Sequence, residues 1–83
     1  MTTPNKNEED VLSFILGWMD SHVDENGIRQ PPARNTVSAR GYSAAALPGL
    51  YKKGYLRIKG SQTIIPTPRA EAWWIRRKRG RDV

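Results

Sequence analysis

Few residues of this chain could support nucleophilic or acid–base chemistry, and their spacing argues against it. The only histidine is His22, with Ser21 and Asp24 close to it in sequence. One helical turn cannot aim these three side chains at one another as nucleophile, base and orienting acid. We therefore expect His22 to lie on a helix surface, and we predict a protein that is not an enzyme and has no catalytic residues.

The acidic run Glu8-Glu9-Asp10 is the other group with the composition of a chemical site. It directly precedes an apolar helical pattern, and carboxylates stabilise the positive end of a helix dipole. The chain has no cysteine, no glycine-rich phosphate loop and no metal-ligand spacing. We assign the run to a helix N-terminus and predict no cofactor, no metal site and no small-molecule ligand.

Basic residues offer a different chemistry, which is the binding of a polyanion. Residues 1–28 hold one basic and six acidic residues, whereas residues 29–83 hold thirteen basic and two acidic ones, for a net charge of +6. Positive potential is thus concentrated in the second part of the chain, as expected of a nucleic-acid-binding protein. A solvated basic surface without a partner is the simpler alternative.

The length of 83 residues indicates one domain with one modest core. The longest apolar run, residues 11–19, is interrupted by Ser13 and Gly17 and is shorter than the roughly 20 residues of a membrane span. We predict a flexible arm at residues 1–7, a domain at residues 8–79 and a basic end at residues 80–83. The expected location is cytoplasmic, with no membrane contact.

Helical periodicity is clearest in the first third of the chain, where apolar residues follow the i, i+3, i+4 spacing of one helix face. We predict a central helix from about Glu8 to about Asp24, capped by Asn7 and ended near Gly27. Its core face comprises Leu12, Ile15, Leu16, Met19 and Val23, widened by Val11, Phe14 and Trp18.

Two short helices are predicted next. The Pro31-Pro32 pair favours a short helix over residues 33–40 that ends at Gly41. A third helix would be capped by Ser43 and reach Lys53. Because a proline in a helix interior costs roughly 3 kcal/mol, Pro48 favours an alternative start near Leu47.

The last elements are a hairpin and a helix. Residues 55–59 alternate apolar and polar side chains, and residues 63–67 return after a turn. Leu56 and Ile58 would face the core, with Arg57 and Lys59 on the open face. A C-terminal helix then begins at Thr67-Pro68 and runs to about residue 79. The predicted fold class is mainly α with a small antiparallel β-hairpin.

The run SAAALPGLYKKGYLRIKGSQTIIPT, residues 43–67, resembles the recognition helix and wing of a winged helix-turn-helix domain. Leu47, Leu50 and Tyr51 match buried helix positions, and the run ARNTVSARGYS before it is similar to the first helix and turn. Thr36 and Arg40 depart from the pattern, which usually has larger apolar residues there. The resemblance covers residues 11–79 and implies a three-helix core, a wing and a C-terminal helix.

This resemblance implies that duplex DNA is the partner of a nucleoid-associated transcriptional regulator of bacterial, phage or mobile-element origin. It places DNA contacts on the turn and third helix, on the wing and on the basic C-terminal segment. The expected DNA-binding residues are Arg34, Asn35, Arg40, Tyr42, Ser43, Ala44, Lys52, Lys53, Arg57, Lys59, Ser61, Gln62, Arg76, Arg77, Lys78 and Arg79.

The start of the third helix has no arginine, asparagine or glutamine that could read a base through two hydrogen bonds. The expected sequence reading is therefore weak and relies on methyl contacts or on Arg34, Asn35 and Arg40. In the alternative interpretation, residues 44–46 pack in the core and contact no base.

Adjacent Trp73 and Trp74 point about 100° apart on a helix, so they cannot fill one core site. Our hypothesis is that one packs on the first helix and the other anchors a homodimer through the C-terminal helix; in the alternative, both cover the core. Two other functions stay open: a protein-interaction adaptor for a host or replication protein, using Tyr51, Tyr55 and the tryptophans, and an RNA-binding module.

Overall fold

The computed structural model describes residues 3–42, 46–60 and 63–81. These residues form four helices and one two-stranded antiparallel hairpin, which confirms the predicted class of a mainly α fold with a small hairpin. Among the described helices, none combines the length and apolar character that a membrane span requires. The elements are α1 (Lys6–Ser21), α2 (Arg34–Ala39), α3 (Ala46–Lys52), β1 (Leu56–Lys59), β2 (Thr63–Pro66) and α4 (Pro68–Arg81).

Helix α1 supplies the largest share of the core. Val11, Leu12, Ile15, Leu16 and Met19 of its predicted apolar face are buried, and Phe14 and Trp18 are half-buried. The predicted start of α1 was wrong. Asn5, and not Asn7, is the N-cap, because the Asn5 side chain accepts a hydrogen bond from the Glu8 backbone while the Glu8 carboxylate accepts one from the Asn5 backbone. This reciprocal capping box satisfies two backbone donors that would otherwise lack partners.

The predicted end of α1 near Asp24 was also wrong, since the helix ends at Ser21. The Asp24 carboxylate accepts hydrogen bonds from the backbone amides of Asn26 and Ile28 and so builds a turn instead of extending the helix. Gly27 adopts φ 79° within that turn. Val23 therefore lies beyond the helix and is 49% exposed, outside the core face to which it was assigned.

Helices α2 and α3 are both short. Ala33 precedes α2 as its N-cap, and Gly41 follows it with φ 80°. Among the described residues α3 runs from Ala46 to Lys52, and Pro48 lies within it. The helix ends at Lys52, so Lys53 follows it instead of closing it. The proposed Ser43 cap lies outside the described residues.

The hairpin pairs Leu56 with Pro66 and Lys59 with Thr63. Leu56 is buried, as predicted, but Ile58 is 46% exposed, so its assignment to the core was wrong. Side chains along β1 point alternately to the two faces of the hairpin, as expected. The hairpin extends past the core after Leu56, however, so Ile58 is exposed although it shares the face of Leu56. An isolated antiparallel bridge between Ala33 and Thr63 joins the segment before α2 to the return strand.

One core cluster connects all the elements. Buried residues of α1 meet Val37 from α2, Leu50 from α3, Ile64 from β2 and Ala70 from α4. Helix α4 packs against α1 and β2, and both of its tryptophans contact this cluster from its edge. Four of these six elements have seven residues or fewer, so this shared core holds them in position.

Candidate nucleic-acid interface

Acidic side chains of α1 hold four basic side chains from other parts of the chain. Lys53 pairs with Glu8, Arg77 pairs with Glu9 at 3.3 Å, and Asp20 contacts both Arg29 at 2.9 Å and Lys78 at 3.6 Å. Three of these cations come from residues after position 50, so the ion pairs connect the two oppositely charged parts of the chain.

The pair of Glu8 and Lys53 is the most buried of these contacts, since Glu8 is only 4% exposed. Burial alone would raise the pKa of the Glu8 carboxyl, but hydrogen bonds from the Lys53 ammonium and the Asn5 amide, with the Lys53 charge, hold that pKa below its ordinary value. Gly49 leaves room for the Glu8 carboxylate, because a Cβ at that position would collide with it.

Arg29 connects the loop after α1 to both long helices. Its guanidinium donates to both Glu71 oxygens, at 2.9 and 3.0 Å, and pairs with Asp20. The second Asp20 oxygen accepts the indole N–H of Trp74 at 2.9 Å. The network holds α4 on α1 and directs the indole N–H of Trp74 toward Asp20 on α1.

These contacts change the interpretation of three residues that were predicted to bind DNA. Lys53, Arg77 and Lys78 all have carboxylate partners, and Arg77 and Lys78 also lie over the Trp73 and Trp74 rings at 5.2 and 5.4 Å. The structure gives these three cations intramolecular partners, which a phosphate would have to replace.

Other predicted cations have no ion pair within residues 3–42, 46–60 and 63–81. Arg34 on α2, Lys52 on α3, and Arg57 and Lys59 on the hairpin are all exposed, and none of them has an acidic partner in that part of the chain. We call these four residues the free basic surface. Lys6 at the start of α1 is likewise exposed and has no ion pair among the described residues.

Three contacts connect the elements that carry the free basic surface. The bridge from Ala33 to Thr63 places the start of α2 beside the hairpin, because Thr63 pairs with Lys59. Arg34 follows Ala33 directly, and its charge acts on the Tyr51 phenol, which precedes Lys52. On the hairpin, Arg57 and Lys59 share the face opposite Leu56.

Helix α4 contributes a second exposed stripe, separate from its inward tryptophans. Ala72, Ile75, Arg76 and Arg79 are exposed at i, i+3, i+4 and i+7. Arg76 and Arg79 have no acidic partner among the described residues. Both tail arginines therefore remain available to an anionic partner, unlike Arg77 and Lys78.

The face of α3 offers little for reading bases. Within the described residues its exposed positions are Pro48 and Lys52, while Ala46, Leu47 and Leu50 are buried. The burial of Ala46 agrees with the alternative in which the alanines pack in the core. Asn35 is exposed on α2. The predicted contacts Ser43, Ala44, Ser61 and Gln62 lie outside the described residues.

Arg40 and Tyr42 both contact the Phe14 ring of α1 and are not part of the free basic surface. The Arg40 guanidinium lies 4.9 Å from the centre of the Phe14 ring, and the Tyr42 ring centre lies 5.6 Å from the same ring. Both residues border a groove between α1 and α4. The sequence pattern assigned Phe14 to the widened core face of α1 and did not indicate this groove, because the walls of the groove come from three distant segments.

The aromatic residues of the adaptor hypothesis face the interior to different degrees. Tyr55 is buried beneath the Arg69 guanidinium, and Tyr51, Trp73 and Trp74 are half-buried against the core. Both tryptophans therefore cover the core, as in the alternative interpretation. Self-association through α4 would have to use its exposed residues Ala72 and Ile75.

Comparisons of the chain with protein-family models, with curated proteins and with solved structures found no match.

Proposed function

We propose that this chain is a small DNA-binding protein of the winged helix-turn-helix type. In this proposal α2 and α3 form the helix-turn-helix, the β1–β2 hairpin is the wing, and α4 is an added C-terminal helix. The order of elements and the bridge from Ala33 to the hairpin support it. Transcriptional regulation by occupying duplex DNA is the expected role.

The observation that carries the proposal is the division of the basic residues into two sets. Cations near α1 are neutralised by its carboxylates, whereas the free basic surface is exposed and has no acidic partner in the described parts of the chain. Exposed cations with like charge repel one another unless a polyanion covers them. DNA phosphates supply the negative charge that this surface lacks.

The proposed contacts are mainly with phosphates. Arg57 and Lys59 on the wing and Lys52 at the end of α3 would contact the backbone, and Arg34 would contact it from α2. Arg76 and Arg79 extend the contact along α4. Among the described residues the exposed side chains of α3 are Pro48 and Lys52, and the proposal assigns Lys52 to the backbone, so the protein should bind many duplex sequences with similar affinity.

The test is a fluorescence-anisotropy titration of a random-sequence duplex at several salt concentrations. If the four residues of the free basic surface contact phosphates, the logarithm of affinity should fall with the logarithm of salt with a slope of about −3.6, or about −5.4 if Arg76 and Arg79 also contact them. Replacing Arg34, Lys52, Arg57 and Lys59 together by glutamine should remove most of this dependence.

A single-stranded RNA of equal charge serves as the comparison ligand. The proposal predicts tighter binding to the duplex, because positions across several elements must match a regular array of phosphates. Absence of duplex binding at low salt would refute the proposal. Tighter binding to the RNA would replace it with the RNA-binding alternative.

A further inference from the structure

A groove between α1, the end of α2 and α4 is left unused by the proposed DNA contacts. Its volume is about 590 Å³, and its walls include Phe14, Tyr42 and Trp74 together with Asp10, Arg40 and Arg77. Sites for small molecules commonly have volumes of about 300–1,000 Å³, with aromatic walls and a few polar groups. The groove therefore has the size and lining of a ligand site.

The aromatic wall of the groove is held in place before any ligand binds. Phe14 and Tyr42 pack at a ring-centre distance of 5.6 Å with an angle of 42°. The indole N–H of Trp74 donates to Asp20, and its ring stacks on Trp73 at 6.4 Å. These contacts fix the aromatic side chains before a ligand arrives, which lowers the cost of ordering them on binding.

The charged side chains of the groove indicate which polar groups a bound aromatic ligand should have. Arg77 is neutralised by Glu9, but Arg40 and Asp10 have no ion-pair partner in residues 3–42, 46–60 and 63–81 and do not pair with each other. The groove thus presents one unpaired cation and one unpaired anion. A purely anionic ligand would leave Asp10 unpaired, and a purely cationic ligand would leave Arg40 unpaired.

Both charges lie next to the same aromatic ring. Asp10 precedes Phe14 by four residues and so occupies the same face of α1 one turn earlier. Arg40 lies over Phe14, with its guanidinium carbon 4.9 Å from the ring centre. A ligand seated at Phe14 can therefore reach both side chains with two small polar groups.

We propose that this groove binds a small aromatic zwitterion, with the chemistry of a free aromatic α-amino acid. Its carboxylate would pair with the Arg40 guanidinium, its ammonium would pair with the Asp10 carboxylate, and its ring would pack among Phe14, Tyr42 and Trp74. No motif indicates such a site, and our expectation of no small-molecule ligand rested on that absence. This proposal does not depend on DNA binding.

The experiment is an NMR titration of the isotope-labelled protein with L-phenylalanine, following the indole N–H signal of Trp74 and the backbone amides of Asp10 and Arg40. Three related probes each lack one feature: phenylacetate lacks the ammonium, phenethylamine lacks the carboxylate, and L-leucine lacks the ring. L-Phenylalanine should give saturable shifts, and each other probe should bind at least about tenfold more weakly.

Single variants locate the site. Arg40→Gln and Asp10→Asn should each weaken L-phenylalanine binding about tenfold, whereas Lys6→Gln, which removes an exposed cation outside the groove, should not change it. The absence of saturable shifts would overturn the proposal, as would equal binding of phenylacetate or unchanged affinity in both groove variants. Backbone spectra of the variants confirm that each retains the fold.

Discussion

The side of the molecule where α1 meets α4 and the side formed by α2 and the hairpin use basic residues in opposite ways. On the first side, Arg29, Lys53, Arg77 and Lys78 each have a carboxylate within 4 Å. On the second, Arg34, Arg57 and Lys59 are exposed, and the described residues offer them no acidic partner. The same residue types thus stabilise the fold in one region and are available to a partner in the other.

This contrast also separates two effects of charge on free energy. A buried pair gains from its interaction only while both partners are present, because removing one leaves the other desolvated and unpaired. An exposed cation loses little when it is removed from the free protein. Substitutions on the first side should therefore change stability, and substitutions on the second side should change binding.

The largest effect is expected for Glu8→Ala. The substitution removes the capping box of α1 and leaves Lys53, whose side chain is 26% exposed, without its carboxylate. We expect a loss of about 3 kcal/mol in the free energy of unfolding, measured by urea denaturation. The matched control is Glu9→Ala on the same helix, where the pair with Arg77 is more exposed and the expected loss is below about 1 kcal/mol. Equal losses would contradict the distinction.

A second prediction compares two double variants that remove the same charges. Arg57→Gln with Lys59→Gln takes one arginine and one lysine from the free basic surface, and Arg77→Gln with Lys78→Gln takes the same pair from cations that already have carboxylate partners. The hairpin variant should lose roughly 10–100-fold in duplex affinity near 0.1 M salt and reduce the salt slope by about 2. The α4 variant should lose markedly less.

Stability of both double variants is the control for this comparison. The hairpin variant should unfold within about 0.5 kcal/mol of the original chain, because its side chains contact solvent. Duplex binding that falls equally in the two variants would show that only total charge matters and that the division of the basic residues has no part in binding.

The acid dependence of stability provides the third prediction. Because the pKa of Glu8 is lower in the folded chain than in the unfolded chain, its ionised form stabilises the fold above the ordinary carboxyl pKa. That contribution is lost as the pH falls through the lowered folded-state pKa. In Glu8→Gln this component is absent, so the difference in unfolding free energy between the two proteins should shrink on acidification, by at most about 1.4 kcal/mol per pH unit. A constant difference would contradict the assignment.

Local patterns in the sequence were sufficient to predict the kinds of elements and most of the core. The spacing of Leu12, Ile15 and Leu16 marked the buried face of α1, and the Asn5 and Glu8 pair carried the capping-box signal that defines its start. Asn7 is adjacent to the acidic run, which favours it as the predicted cap. Both asparagines satisfy a simple cap preference, and only the residue three positions later distinguishes them.

What the sequence did not reveal depends on contacts between distant residues. Strand alternation placed Ile58 on the same side as Leu56, but it could not show that the hairpin extends past the core there. Nothing near Lys53 shows that its partner is Glu8, 45 residues away. The groove also depends on contacts between distant residues, since α1, the turn after α2 and α4 meet only in the folded chain.

The smallest effect is expected for Tyr51→Phe. This substitution removes a buried polar group that has no partner among the described residues, whereas the buried Glu8 carboxylate is paired. Within the described residues the Tyr51 hydroxyl makes no hydrogen bond, and burial raises the pKa of its phenol although the Arg34 charge opposes the shift. Unlike the Glu8 carboxylate, the Tyr51 hydroxyl loses its hydration without gaining a hydrogen bond to the described residues. Removing it should change the unfolding free energy by less than about 1 kcal/mol at neutral pH, in the stabilising direction.

At alkaline pH the difference from the original chain should grow. A phenol whose pKa is raised by folding disfavours the folded state once the pH exceeds its ordinary value of about 10, so the original chain should lose stability there through a component that Tyr51→Phe lacks. Urea denaturation of both proteins between neutral and alkaline pH measures it. A clear destabilisation by Tyr51→Phe at neutral pH would show that the hydroxyl has a partner, and the distinction between paired and unpaired buried groups would then apply to Glu8 alone.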